Sequence, residues 1–281
     1  MSALEEPVPF HLSLPIAGLA ILLLVGAARA EDQPFLTLDA TDIEPQFGRE
    51  FEQDFNWAID RASSTGLEMH SEIEYGLRDN LQVAGAADYA WERDAPGADT
   101  KLRFTTVSGE LIYQPLNVYF DPLGMAVLVS SGIGPDLFEV ETKLLAQKNF
   151  INDRLRFVVN AGWTDARQRD PDAEGDRWEN ESTLSLGAGL SYNITWAWSA
   201  GIEFDNERTF EGLDGRGSPD SSIYYAGPTF QFVDHPLTMS VGFQTQLPYA
   251  SGPGDMSGSL HNGFAVDAER YRVALRITRD F

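Results

Sequence analysis

From residue 49 onward, apolar and polar side chains alternate in runs of ten or more, the two-residue period of a strand with two unlike faces. Over 65–77, Leu67, Met69, Ile73 and Tyr75 fall on one face and Glu68, His70, Glu72 and Glu74 on the other. Over 154–165, Leu155, Phe157, Val159 and Trp163 oppose Arg154, Arg156, Asn160 and Thr164. The stretch 178–192 sets Leu184, Leu186, Ala188, Leu190 and Tyr192 against Thr183, Ser185, Gly187 and Ser191, and 236–248 sets Met239, Val241, Phe243 and Leu247 against Ser240, Gln244 and Gln246. Read throughout, the period predicts strands near 49–61, 65–77, 81–92, 101–115, 122–132, 137–148, 154–165, 178–192, 197–209, 221–233, 236–248 and 264–281.

Connections between these runs are alternately short and long. Turns rich in Asn, Asp and Pro occupy 77–80, 117–122, 149–153, 193–195 and 233–236, whereas longer polar stretches occupy 93–100, 166–177, 210–220 and 249–263. That asymmetry, with one apolar face per strand, predicts an all-β fold: a single up-and-down antiparallel transmembrane barrel of about twelve strands, within a range of about ten to fourteen. Both termini of an even-stranded barrel lie at the short-turn end. Trp57, Tyr75, Trp91, Tyr113, Trp163, Trp178, Tyr192, Trp198 and Phe281 stand near strand ends, where interfacial aromatic girdles belong. A two-sheet sandwich is the alternative, but it needs polar residues where the outward rows carry Leu and Phe. Two segments fit poorly: 124–132 is apolar on both faces, and Pro228 within the tenth strand removes a ladder donor and predicts a bulge or bend.

The final strand sets Tyr271, Val273, Leu275, Ile277 and Phe281 against Arg270, Arg272, Arg276 and Thr278. An amphipathic strand ending in Phe281 resembles the assembly signal of Gram-negative outer-membrane proteins; this implies an outer-membrane address and handling by barrel assembly machinery. At the other end, the apolar run 12–28 followed by Ala28-Arg29-Ala30 predicts a signal peptide over 1–30, although Glu5 and Glu6 stand where basic residues are usual. An uncleaved version would be a short membrane anchor. Residues 31–47 then form a periplasmic N-terminal segment or a lumen plug, and 48–281 the barrel.

The chain has formal charge −23 and no Cys. The charge argues against nucleic acid as a partner, and the missing Cys excludes thiolate metal ligands and nucleophiles. A hydrophobic share of 43% is too rich for a disordered acidic protein.

Function must then be read from the inward rows. The lumen-lining candidates are Glu50, Glu52, Asp54, Glu68, His70, Glu72, Glu74, Glu110, Glu139, Glu141, Lys143, Arg156, Glu203, Asp205, Arg270, Arg272 and Arg276, with Asn56, Asp60 and Glu207 on the same rows. Closure of the barrel is expected to set Arg270, Arg272 and Arg276 against Glu50, Glu52 and Asp54. Two readings follow: a self-satisfied polar filling, or a water-filled pore whose surplus acid prefers cations. Inward Gly187, Gly189, Gly201, Gly227 and Gly242 suggest open space, while the Arg and acid rows suggest filling.

An enzyme is not expected. No His is followed two residues later by Ser, and adjacent Ser71 and His70 point to opposite faces, so they cannot assemble a catalytic pair. His70 with Glu68 and Glu72 offers nitrogen and oxygen ligands, but one His among carboxylates reads first as a hydrogen-bonded wall residue; no metal or other cofactor is expected. The acidic external stretch 165–176 is a solvated loop or a cation bridge to lipopolysaccharide phosphates.

The pieces Glu72 to Gln82, Leu116 to Gly124 and Ala146 to Leu155 resemble a group of outer-membrane barrels called putative transporters, some likened to proteins of phenol meta-degradation pathways. The resemblance covers hairpins and carries over no functional residue. The expected function is passive passage of an unknown small solute across the outer membrane, with outer-membrane lipid and lipopolysaccharide around the wall. The alternatives are a closed structural or surface-interaction barrel and, behind it, a membrane-embedded lipid hydrolase.

Overall fold

A computed structural model describes residues 33–59, 65–93, 100–169, 178–213, 215, 218–252, 260–266 and 268–281. The expected signal peptide, Asp60 and most of the acidic stretch 165–176 lie outside the described residues. The elements are β1 (Arg49–Ile59), β2 (Thr65–Arg78), β3 (Leu81–Arg93), β4 (Thr100–Leu116), β5 (Gly124–Ile133), β6 (Leu137–Phe150), β7 (Leu155–Arg169), β8 (Trp178–Asn193), β9 (Trp198–Glu211), β10 (Ser221–Asp234), β11 (Leu237–Gln246), β12 (Leu260–His261), β13 (Phe264–Ala265) and β14 (Tyr271–Asp280). Twelve of them close into one antiparallel barrel in chain order, β14 pairing with both β11 and β1, while β12 and β13 form a separate small hairpin.

The two-residue period therefore locates the wall strands to within a few residues, with one exception. The twelfth strand begins at Tyr271, not near residue 264; Phe264 and Ala265 instead fold back on Leu260 and His261 beside the barrel's loop end. Pro228 also behaves differently from expectation. It and Gly227 interrupt the β10/β11 ladder, yet Tyr225↔Gln246 and Thr229↔Gly242 keep one register across the gap, so no bulge forms.

Alternation turns one row of every strand outward. Leu111, Val129, Leu144, Phe157, Leu190, Ile202, Phe204, Phe230, Val241 and Phe243 are all exposed on the outer face. A soluble sheet would place such a belt at constant cost against water, whereas hydrocarbon accommodates it. At its margins Tyr113, Trp178, Tyr192 and Trp198 are exposed, as girdle residues should be.

The core lies in the lumen. Residues 33–44 run inside the barrel as an irregular strap that passes β11, β9, β7, β6, β4 and β3 in turn, and Pro45 to Phe47 then emerge, exposed, beside the β2/β3 turn before the chain enters β1. Phe35 and Leu38 pack on Val158 as one buried cluster. Ile43 packs on a second, made of Ile112, Ala126, Leu128 and Leu145. This explains the apolar inner face of β5: Ala126 and Leu128 pack on Ile112, Leu145 and Ile43 within the lumen.

A strapped lumen with an acidic chamber

An extended segment inside a barrel finds the wall's backbone already satisfied by neighbouring strands, except at the β2 irregularity, where Phe47 N–H donates to Gly76 O at 2.8 Å and Gly76 N–H donates to Gly48 O at 3.1 Å. Elsewhere the segment's own N–H and C=O groups must find side chains. The lumen supplies them. Glu203 accepts from Leu36 N–H at 2.5 Å, Asn160 Oδ1 from Asp39 N–H at 3.1 Å, Gln147 Oε1 from Thr41 N–H at 2.8 Å and Gln82 Oε1 from Glu44 N–H at 2.6 Å. In the other direction, Asn160 Nδ2 donates to Asp39 O at 3.0 Å, Gln114 Nε2 to Thr41 O at 2.5 Å and Ser240 Oγ to Gln33 O at 3.1 Å. The Thr37 hydroxyl donates toward Glu203 and Asp205 at 2.9 and 2.8 Å, and Gln244 Nε2 ties the same two carboxylates together at 3.1 and 2.7 Å.

The inward glycines are part of this arrangement. A Cβ at Gly187 would lie 2.2 Å from Leu38, at Gly189 2.6 Å from Phe35 and at Gly242 2.4 Å from Leu36. These positions are dents that receive the strap. Gly201 and Gly227 are equally tight, against Thr229 and the Phe243 carbonyl respectively. None of the five opens space, contrary to their sequence reading.

On the other side of the strap, toward β1 to β6, lies a cavity of about 640 Å³. Among the described residues its wall carries ten carboxylates: Asp39 from the strap and Glu52, Asp54, Glu68, Glu72, Glu74, Asp88, Glu110, Glu139 and Glu141 from the strands. The cationic side chains among the described residues of the same wall are Lys143, Arg276 and, when protonated, His70. Each is engaged. Arg276 forms a bidentate pair with Asp54 at 3.0 and 2.8 Å and reaches Glu52 at 3.2 Å. Lys143 Nζ bridges Asp39 at 3.2 Å and Glu141 at 3.4 Å. His70 holds Asp88 at 2.6 Å through Nδ1 and Glu72 at 3.3 Å through Nε2. Ser71 faces the other way and donates to Gln53 at 2.6 Å.

The remaining candidates are dispersed. Glu203 and Asp205 hold the strap and are buried. Arg156 is buried and lies 3.9 Å from Asp42 of the strap. Arg154 falls on the turn before β7 and is exposed. The expected opposition of three Arg to the β1 acid row holds for Arg276 alone. Register sets Arg272 against Ala58 and pairs Glu50 with Asp280, because an antiparallel partner carries Arg272 to the opposite end of the wall. Arg272 instead clamps Glu207 at 2.6 and 3.0 Å and lies over the Tyr225 ring. Arg270 precedes β14 and places its guanidinium 3.3 Å from the centroid of Phe264 in the small hairpin.

Glu50 belongs to a third cluster, at the short-turn end, where carboxylate oxygens of Glu44, Glu50 and Asp280 lie within 4.8 Å of one another. Burial, with Asp280 nearby, pushes the Glu44 carboxyl up to about 7.

The sequence reading left a lumen plug over 31–47 open as an alternative and did not identify the amide clamp that holds it. Gln82, Gln114, Gln147, Asn160 and Gln244 all sit at inward positions. Amides both donate and accept, so an inward row of them is the available signal that a peptide segment is held there.

Comparison of the fold with solved structures finds outer-membrane β-barrel channels. An outer-membrane channel of the COG4313 group from Pseudomonas putida F1 aligns at TM-score 0.54 and 13% identity over 87% of this chain and 100% of its own. The NanC porin aligns at 0.53 and 8% identity over 83% and 100%. The KdgM porin, solved with disordered oligogalacturonate, aligns at 0.50 and 9% identity over 83% and 99%. At such identities the likeness is one of fold. In sequence, no curated protein matches, and residues 27–281 match a family model described only as a family of unknown function, DUF6662.

Proposed function

The chain belongs to the DUF6662 family of unknown function, and we propose that it is an outer-membrane channel for small solutes that prefers cations and is restricted by its own N-terminal strap. The observation that carries this reading is the chamber of about 640 Å³ with ten carboxylates on its wall. Water and mobile cations lower the mutual repulsion of such a wall, and the same field raises local cation concentration while excluding anions. Lys143, Arg276 and His70 each already bridge two carboxylates, so they offset the acid locally without reversing its sign. The apolar outer belt supports an outer-membrane location. The resemblance of three hairpin pieces to barrels likened to phenol meta-degradation proteins carries over no functional residue and supports no particular solute.

The test is single-channel current from the refolded barrel in a planar bilayer under a salt gradient. Stepwise conductance with a cation-selective reversal potential supports the reading; folded barrel without current, or with anion selectivity, contradicts it.

A closed structural barrel is the second reading. The strap's hydrogen bonds to wall strands from β3 to β11 favour it, because a segment held at so many points stays docked unless something displaces it.

A further inference from the structure

Where the strap turns into the wall, three carboxylates from three separate elements converge. Glu44 comes from the strap, Glu50 from the second residue of β1 and Asp280 from the last residue of β14, and their oxygens lie within 4.8 Å of one another. Glu50 and Asp280 are register partners across the strand pair that closes the barrel. Glu44 is 1% exposed, and neither of its carboxylate oxygens accepts a hydrogen bond from the described residues. Its position is nevertheless well fixed. Its N–H is held by Gln82 at 2.6 Å, and the missing side chain of Gly48 leaves the room it occupies, since a Cβ there would lie 2.3 Å from Glu44 Oε2. A buried ionised carboxylate without hydrogen bonds is costly, and two more beside it raise that cost.

We propose that Glu44, Glu50 and Asp280 form a binding site for a hard divalent cation of the Ca²⁺ class, which latches the strap to the β1/β14 seam. Calcium takes carboxylate oxygens at about 2.3–2.6 Å, so two ligands on one ion lie at most about 5 Å apart, a limit all three residues meet. The ion supplies the partner that the Glu44 oxygens lack and removes the repulsion among the three groups. Oxygen-only ligation favours Ca²⁺ or Mg²⁺ over softer ions, and the imidazole of His235, at 3.9 Å from Asp280, stands at the edge of the cluster as a fourth polar neighbour. This site is independent of conduction: it latches the strap equally in a channel and in a closed barrel.

The experiment uses the complete refolded barrel in detergent at neutral pH, stripped with chelator and titrated with CaCl₂, reading ion binding by calorimetry and the melting temperature in parallel. The expected result is one tight Ca²⁺ per chain and a melting temperature that rises with Ca²⁺. Glu44→Gln, which alters only the strap and leaves the seam intact, is expected to weaken this binding on the order of tenfold or more. Gly48→Ala, which crowds the Glu44 carboxylate without removing charge, is expected to weaken it as well. Absence of a Ca²⁺ effect in the unaltered chain overturns the proposal. So does an equal effect in Glu44→Gln, which assigns the binding to other acidic groups such as those of 165–176. A melting temperature that follows pH but ignores Ca²⁺ also overturns it and leaves a proton-sharing trio.

Discussion

The two sides of the lumen use polar residues to opposite ends. Toward β7 to β11 the wall offers Asn160, Ser240, Gln244 and the small Gly187 and Gly189, and at the short-turn ends of β3, β4 and β6 it offers Gln82, Gln114 and Gln147; at all of these the strap lies directly on it. Farther from those turns, β1 to β6 offer chiefly carboxylates, and there the chamber opens. An amide can satisfy both an N–H and a C=O of a passing peptide, and glycine yields the space a side chain needs. Carboxylates only accept hydrogen bonds and repel one another, so a row of them is best left facing water. Glu203 and Asp205 show the boundary case: two carboxylates on the strap side, quieted by Thr37, Leu36 N–H and Gln244.

Deleting residues 34–44 should break this division most completely. The strap side loses its covering, and single-channel conductance is expected to rise several-fold with the barrel still folded, as read by resistance to heat unfolding in detergent. Arg276→Ala attacks the acidic side. It leaves Asp54 and Glu52 buried without their shared partner and is expected to cost about 3–5 kcal/mol in urea unfolding, the usual result of removing one member of a buried pair.

Gln147→Ala is the matched change on the strap side. Thr41 N–H loses its acceptor, with an expected cost of about 1–3 kcal/mol in the same unfolding assay and more frequent open bursts in current recordings. Neutralising the chamber with Glu72→Gln, Glu110→Gln and Glu139→Gln together should leave stability nearly unchanged and move the reversal potential toward zero. A shift toward stronger cation preference would show that the chamber does not set selectivity.

The smallest expected effect is on pH. With chelator present, the folded protein holds the Glu44 proton up to about 7, above the ordinary 4.5, so it binds more protons than the unfolded chain between those values. Docking of the strap is therefore strongest below about pH 4.5 and weakens as pH rises through 7. Current fluctuations should increase from pH 5 to 8, and Glu44→Gln should flatten that trend.

The wall was legible in the sequence because a strand with an apolar outer row and a polar inner row writes its period plainly; the outward Leu and Phe rows and inward acids fix each element and its facing. The strap was legible only as an open choice between a periplasmic segment and a plug, because a segment satisfied by side chains needs no period. Phe35, Leu38 and Ile43 show no spacing that separates them from a loop. The glycines misled for a related reason: Gly187 and Gly189 signal space, but the sequence does not say that Leu38 and Phe35 fill it. Arg272 and Arg270 were assigned to the wrong partners because a shared face does not give the height of a residue along the barrel axis. The stretch near 264 extended the last strand by its alternation, which a short hairpin imitates.

The central claim is that the strap occupies the lumen and limits its passage. Thr41 and Gly124 test it directly: a Cβ at Gly124 would lie 2.4 Å from the Thr41 hydroxyl, close enough for a disulfide, and the native chain has no Cys to interfere. In the double variant Thr41→Cys with Gly124→Cys, single-channel current is recorded before and after reduction. The account predicts low, quiet conductance while oxidised and larger, fluctuating conductance once reduced. Failure of the two thiols to pair in the folded barrel, or identical current in both states, would contradict it.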